Sequence, residues 1–272
     1  MEAVISGVEA GRIPRAQYDA VMLDEGHDFA PEWLKLIVQM VDQTSDSLLL
    51  LYDDAQAIYQ KSNALKFSLS SVGIKAPGRT TILRLNYRNT REILEFAYKV
   101  VREFISPEAA DDDHIPRIEP TAAGGTGPKP IFRRRENIEA EIDYAVRCVQ
   151  KWHDAGESLN DIAIICASGF HGRVVQERLE REKLPYLWMA SRDTKSAYDP
   201  AKDQLSILSI QSSKGLEFKS VVFIGLGHLT DERDEAERAR LLYVGMTRAR
   251  QRLVLTASAD NVITERLTAI AA

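Results

Sequence analysis

Two adjacent carboxylates, Asp24 and Glu25, are the first residues in this chain with a chemistry of their own. They follow residues 18–23 (YDAVML), a short apolar run that reads as a buried strand. Open α/β sheets bind ligands beyond the C-terminal ends of their strands. Two acids at that place suit a nucleotide, because a hard Mg2+ ion takes carboxylate and phosphate oxygens. One acid can hold the metal while its neighbour accepts a proton from an attacking water. The same acids would also serve as plain loop residues, so the pair by itself decides nothing.

The surrounding elements alternate. Residues 31–41 place Trp33, Leu34, Ile37, Val38 and Val41 at helical spacing, with Pro31 at the first helical position. Residues 47–52 (SLLLLY) form another buried strand, so the start of the chain reads strand, helix, strand, the pattern of a parallel α/β sheet. Pro77-Gly78 marks a turn and a domain boundary. Residues 80–85 read as a strand, and residues 90–104 as an amphipathic helix with Ile93, Leu94, Ala97, Val100, Val101 and Phe104 on one face. Residues 106–130 carry Asp111-Asp112-Asp113, Gly124-Gly125 and five prolines, and read as a long surface loop. Beyond it the alternation resumes, with strands at 130–133, 161–167, 205–210, 220–224 and 252–256 and helices at 137–155, 171–182 and 234–248.

Five blocks stand out along this frame: VMLDEGHD (21–28), LLLLYDDAQAIY (48–59), LRLNYRNTREI (83–93), SIQSSKGLEFKSVVFIGL (209–226) and RLLYVGMTRAR (240–250). In this order and spacing the set resembles motifs II to VI of superfamily 1 helicases of the UvrD/Rep type, over about residues 18–257. The last two blocks carry the most specific likeness.

The resemblance implies a role for each matched position. Asp24 would bind Mg2+ with ATP, and Glu25 would be the general base that orients the attacking water. Gln56 would sense the γ-phosphate, Tyr87 would stack on adenine, and Glu217 would contact the ribose. Arg88 and Arg248 would approach the γ-phosphate, where a positioned guanidinium is worth ~10³–10⁵ in rate in related enzymes. Arginine suits this better than lysine because its planar fork binds phosphate oxygens bidentately. Tyr59 would offer a ring to a base of single-stranded DNA, and Ser209, Gln211, Ser212 and Lys214 would meet its phosphates. The chain departs from the family pattern at His27, where Gln is usual, at Ser209 and Gln211, where Thr and His are common, and at Lys61, where Trp is frequent.

Composition sets outer limits. The chain has 272 residues, 44% hydrophobic and 28% charged, with a net charge of −5. That excludes a generally basic nucleic-acid coat, but not a motor touching a few phosphates along one groove. The two cysteines, Cys148 and Cys166, lack metal-ligand spacing and read as two buried apolar thiols, and the five histidines are scattered. No apolar run reaches the ~20 residues of a membrane span, and the first residues lack a signal-peptide pattern. The expected location is cytoplasmic.

No G-x-x-x-x-G-K-[ST] loop occurs in these residues. Such a loop would cradle the β- and γ-phosphates. The expectation is therefore an α/β chain with RecA-like parallel sheets flanked by helices. Residues 1–76 would be a partial N-terminal ATPase domain with motifs II and III, either a truncation or one half of a split protein. Residues 77–272 would be a nearly complete C-terminal domain with motifs IV, V and VI. Only about 120 residues separate Arg88 from Ser209, too few for a large inserted subdomain. The implied function is the C-terminal portion of an ATP-dependent 3′→5′ DNA helicase or translocase, poorly active alone. A polypeptide supplying the missing ATPase segment would be its partner. The rival is an inactive remnant that binds nucleic acid or protein.

Overall fold

The second half of the chain is dominated by short runs of valine, isoleucine and leucine, which favour strands when both faces are covered. In the computed structural model these runs build one parallel sheet. The structure describes residues 2–52, 68–81, 85–103, 121–189, 194, 198–199, 201–229 and 235–271. The chain divides into two compact units, Met1–Leu83 with Pro107–Ile118, and Arg84–Ser106 with Glu119–Ala272. Residues 77–83 thus fall in the first.

In the first unit, helix α1 (Glu2–Glu9) precedes strand β1 (Ala20–Leu23), helix α2 (Pro31–Met40) and strand β2 (Ser47–Leu50). The two strands pair in parallel, Ala20 opposite Ser47 and Leu23 opposite Leu50. Helix α2 starts as expected, with Pro31 in the first turn after an extended Ala30. It stops at Met40 because Val41 is extended and forms a β-bridge with Tyr18. Leu34 packs with Leu69, Val72, Ile74 and Ala76, and Leu23, Val38, Leu48 and Leu50 close round them. Strand alternation sends Met22 and Leu49 the other way, into solvent. Trp33, expected on the apolar stripe of α2, is exposed as well, because Leu34 and Val38 are the residues that meet the core.

In the second unit a short parallel pair, β3 (Leu85–Asn86) with β4 (Thr121–Ala122), flanks helix α3 (Arg91–Val101). Strand β4 lies inside the segment read as loop; two residues of ladder leave no periodicity to detect. The main sheet comprises β5 (Ile131–Arg134), β6 (Ile162–Cys166), β7 (Tyr186–Met189), β8 (Leu205–Ser209), β9 (Phe218–Ile224) and β10 (Ala249–Ala257), in spatial order β5-β10-β9-β6-β8-β7. Every neighbouring pair is parallel. Helices α4 (Ile138–Asp154) and α5 (Gly169–Glu182) cover one face through Ile142, Val146, Val175 and Leu179, which meet Ile162, Ile164 and Val222. Helix α7 (Glu235–Thr247) presses on the other face, where Gly245 lies against Phe223. Both faces of β6 are therefore buried, and all five of its residues are buried. This is the parallel α/β organisation read from the sequence.

A one-turn helix, α6 (Ile210–Ser213), leaves β8, and α8 (Val262–Ala271) follows β10. The expected helix at 234–248 ends at Thr247 and the expected strand at 252–256 begins at Ala249, so Arg248 sits alone at the junction. The register of β10 against β9 is irregular between Ala249 and Arg252. Among the described residues no helix is long and apolar enough to cross a membrane.

Candidate functional site

The acidic loop of the first unit is held by the backbone. Past the end of β1, Leu51 N–H donates to Leu23 C=O and Gly26 N–H donates to Leu51 C=O, each at 2.8 Å. These bonds keep the loop on β2 while it turns. The turn puts Glu25 in the left-handed region, φ 53° and ψ 39°, a conformation that costs a non-glycine residue about 1–3 kcal/mol. Space beside it is tight: a Cβ on Gly26 would stand 2.2 Å from Leu50 Cδ1 and 3.1 Å from the Leu51 carbonyl oxygen. Glu25 N–H donates to Asp24 Oδ1 at 2.9 Å.

His27 is buried with its Nε2 3.0 Å from Glu25 Oε2 and 3.8 Å from Asp28 Oδ1. Its ring meets Tyr52 edge-on, with centroids 5.4 Å apart. The histidine thus orients the Glu25 carboxylate. Asp24 stays exposed. Among the described residues no three His, Cys, Asp or Glu side chains gather as a metal cage. A cation here would be held by Asp24 with phosphate and water oxygens, which is how Mg2+ is usually bound. Gln56 and Tyr59 lie outside the described residues.

In the second unit the three C-terminal motifs are tied together. Arg88, which follows β3, places Nε 3.0 Å from Glu217 Oε1. Arg248 is buried and donates from Nε to Val244 C=O at 3.0 Å and from Nη1 to Leu216 C=O at 3.3 Å. In return Phe218 N–H donates to Arg248 C=O at 2.9 Å. Glu217 is therefore bracketed by two residues bonded to Arg248 while its own carboxylate meets Arg88. Tyr87 is 70% exposed, its ring presented to solvent beside them. The structure brings Arg88, Glu217 and Arg248 onto one hydrogen-bonded frame.

Four of the residues expected to touch nucleic acid, Ser209, Gln211, Ser212 and Lys214, lie in or beside α6. Ser209 caps it: Oγ accepts from Ser212 N–H at 3.1 Å and donates to Ser212 Oγ at 3.0 Å. Ser213 is buried and donates to Ile210 C=O at 2.7 Å. Gln211, Ser212 and Lys214 are half-buried, and Gly215 turns the chain at φ 79°. Ser209 is thus first a structural cap.

Sequence reasoning passed over two polar groups of this unit. Asn89 is buried against motif VI, and a lone polar residue at a strand-to-helix turn carries no signal of that. Glu141 is fully buried on α4, where its Oε1 accepts from Gly225 N–H at 2.5 Å and from Thr256 Oγ1 at 2.7 Å. It ties the ends of β9 and β10 to the helix. A glutamate on the apolar face shared with Ile142 and Ala145 was the available signal. His171 lies close by: a Cβ on Gly225 would stand 2.6 Å from its Nε2, and its Nδ1 is 2.7 Å from Ser168 Oγ. Burial pushes this imidazole below its ordinary pKa, with Glu141 opposing and His228 reinforcing the shift.

Comparison with known proteins identifies the family. Two family models, each described as a UvrD-like helicase C-terminal domain, match residues 81–194 and 204–256, together more than half of the chain. DNA helicase II of Haemophilus influenzae is 24% identical over 173 residues, 62% of this chain and 22% of that protein. The ATP-dependent DNA helicase Rep of Buchnera aphidicola is 43% identical over 63 residues, 20% of this chain and 9% of that protein. A solved C-terminal domain of a possible DNA helicase from Lactobacillus plantarum is similar at 20% identity and a TM-score of 0.49, covering 68% of this chain and 96% of that one. The chain spans under a quarter of the length of the curated relatives it matches. By its matched domains, the chain belongs to the UvrD-like helicase family, of which it carries the C-terminal domain.

Proposed function

We propose that the chain is the C-terminal portion of an ATP-dependent 3′→5′ DNA helicase or translocase, acting in the cytoplasm and moving on single-stranded DNA. The observation that carries this reading is the frame joining Arg88, Glu217 and Arg248. Phosphoryl transfer spreads negative charge over the γ-phosphate oxygens, and two guanidiniums on one frame can offset it together. Glu217, exposed beside Arg88, takes the ribose, and Tyr87 offers a face to adenine. In the acidic loop Glu25, oriented by His27, takes the proton of the attacking water. Mg2+ at Asp24 would neutralise charge on the phosphate oxygens. Gln56 couples hydrolysis to movement. Tyr59, Gln211, Ser212 and Lys214 contact the strand, while Ser209 contributes through the cap it forms.

The 272 residues contain no phosphate-binding G-x-x-x-x-G-K-[ST] loop. The purified chain is therefore expected to hydrolyse ATP slowly or not at all, with or without single-stranded DNA. Turnover at ordinary helicase rates, about 1–10³ per second for typical enzymes, would overturn that expectation. Mixed with a polypeptide that carries such a loop, the chain should show DNA-stimulated turnover that Glu25→Gln abolishes. No turnover in the mixture, with DNA binding retained, would favour a binding module over a motor.

A further inference from the structure

Asn89 follows Arg88 in sequence and is 2% exposed. A buried primary amide must place both its N–H groups and its oxygen, or lose the hydrogen bonds it had in water. Asn89 Nδ2 donates to Thr247 C=O at 2.8 Å and to Ala249 C=O at 2.7 Å. These are the two carbonyls that flank Arg248. Asn89 Oδ1 accepts from Asn86 Nδ2 at 3.0 Å, and Asn86 Oδ1 accepts the backbone N–H of Asn89 at 3.1 Å. One residue further on, Thr90 N–H donates to Arg250 C=O at 3.0 Å.

The junction needs such a clamp. Helix α7 ends at Thr247, and the last carbonyls of a helix have no partner within it. Strand β10 begins at Ala249, where its register is irregular. The residue in between keeps one helix-type bond, from Arg248 N–H to Gly245 C=O at 3.4 Å. The Asn89 amide bridges the two carbonyls from outside, and the Phe218 N–H holds the third carbonyl, that of Arg248 itself. A side chain can be aimed only as well as its Cα is held.

We propose that Asn89 is the positioning residue for Arg248, setting the direction in which its guanidinium leaves the helix-to-strand junction. The role rests on the nucleotide reading of Arg248 given above, but the clamp can be tested without ATP. Arg248 then acts from a backbone that is locked to the loop bearing Arg88, so the two arginines keep a fixed spacing. Asn89 touches no substrate; it works through Arg248.

The test uses the full chain labelled with ¹⁵N-arginine and ¹⁵N-asparagine. The Nε–H resonance of Arg248, identified by its loss in Arg248→Lys, should be displaced from the free-arginine position and exchange slowly with solvent. In Asn89→Ala and Asn89→Asp it should move toward the free position and exchange at least tenfold faster, while amides of β6 and β9 keep their protection. Asn89→Ser, which keeps one donor, should fall between. An unchanged Arg248 signal in folded Ala and Asp variants would overturn the proposal. If those variants fail to fold, the unmodified protein still decides: Asn89 side-chain protons that exchange as fast as those of a free asparagine would overturn it, and protected ones support it. Absence of ATP turnover would bear on the motor reading alone.

Discussion

At the residue scale, the acids and the arginines of this protein are held by different means. Glu25 keeps an uncommon backbone conformation and a carboxylate fixed by a buried histidine. Arg248 has its guanidinium on backbone carbonyls. Fixing a charged group beforehand lowers the reorganisation needed when charge develops. His171 illustrates the opposite case, a titratable group whose burial has a cost. Its pKa is lowered in the folded protein, so the unfolded chain binds the proton first. Its contribution is therefore harmless above the ordinary histidine value of about 6.5 and becomes destabilising as pH falls through that value toward the lowered one. The groups facing it are Glu141 on α4, Ser168 on its own turn, and His228 with Gly225 after β9. His171→Gln should flatten the loss of stability between pH 7 and pH 5, read as the shift in urea midpoint; an equal loss in both proteins would refute this.

At the scale of elements, the motif helix α7 is unusual in being buried nearly all round. Residues 238–249 are all buried, charged Arg238 and Arg240 included. Such a helix must approach the sheet closely, and Gly245 is where it does so. A Cβ there would stand 2.4 Å from Cε1 of Phe223, a ring that is itself fully buried. Gly245→Ala should therefore cost about 1–3 kcal/mol by overpacking, although alanine is the better helix former. Chemical denaturation measures it directly, and a neutral or stabilising result would mean that α7 can lift off β9 freely. Lifting α7 would also strain the junction at Arg248, which ties the glycine of the YVGMTRAR block to the arginine three residues on.

At the scale of the whole molecule, the two units differ in how they are stabilised. The second owns a six-stranded sheet covered on both faces, the architecture in which parallel strands are normally found. Among the described residues the first has two paired strands and a small cluster round Leu34, with Met22 and Leu49 left exposed. Two-stranded sheets contribute little stability of their own. Amide hydrogen exchange should accordingly protect β6, β8 and β9 up to the global unfolding limit, while β1 and β2 exchange through openings of lower free energy. Equal protection in both sheets would contradict this reading.

The sequence alone determined the parallel α/β class and most elements of the second unit, because uninterrupted apolar runs such as residues 162–166 admit few other structures. It also marked the acids, arginines and capping serine as candidates, since their types and order carry chemical meaning. It missed β7, where Tyr186–Met189 mixes partly buried aromatic residues with no clear period, and the two-residue strand β4. It read both cysteines as buried, whereas Cys148 is only half so. What only the tertiary structure decided are contacts between distant parts of the chain. Asn89 reaches carbonyls about 160 residues away, and Glu141 reaches Gly225 and Thr256. Periodicity reports which face of an element is apolar, but a hydrogen bond across the fold depends on where two elements meet, and no local pattern encodes that.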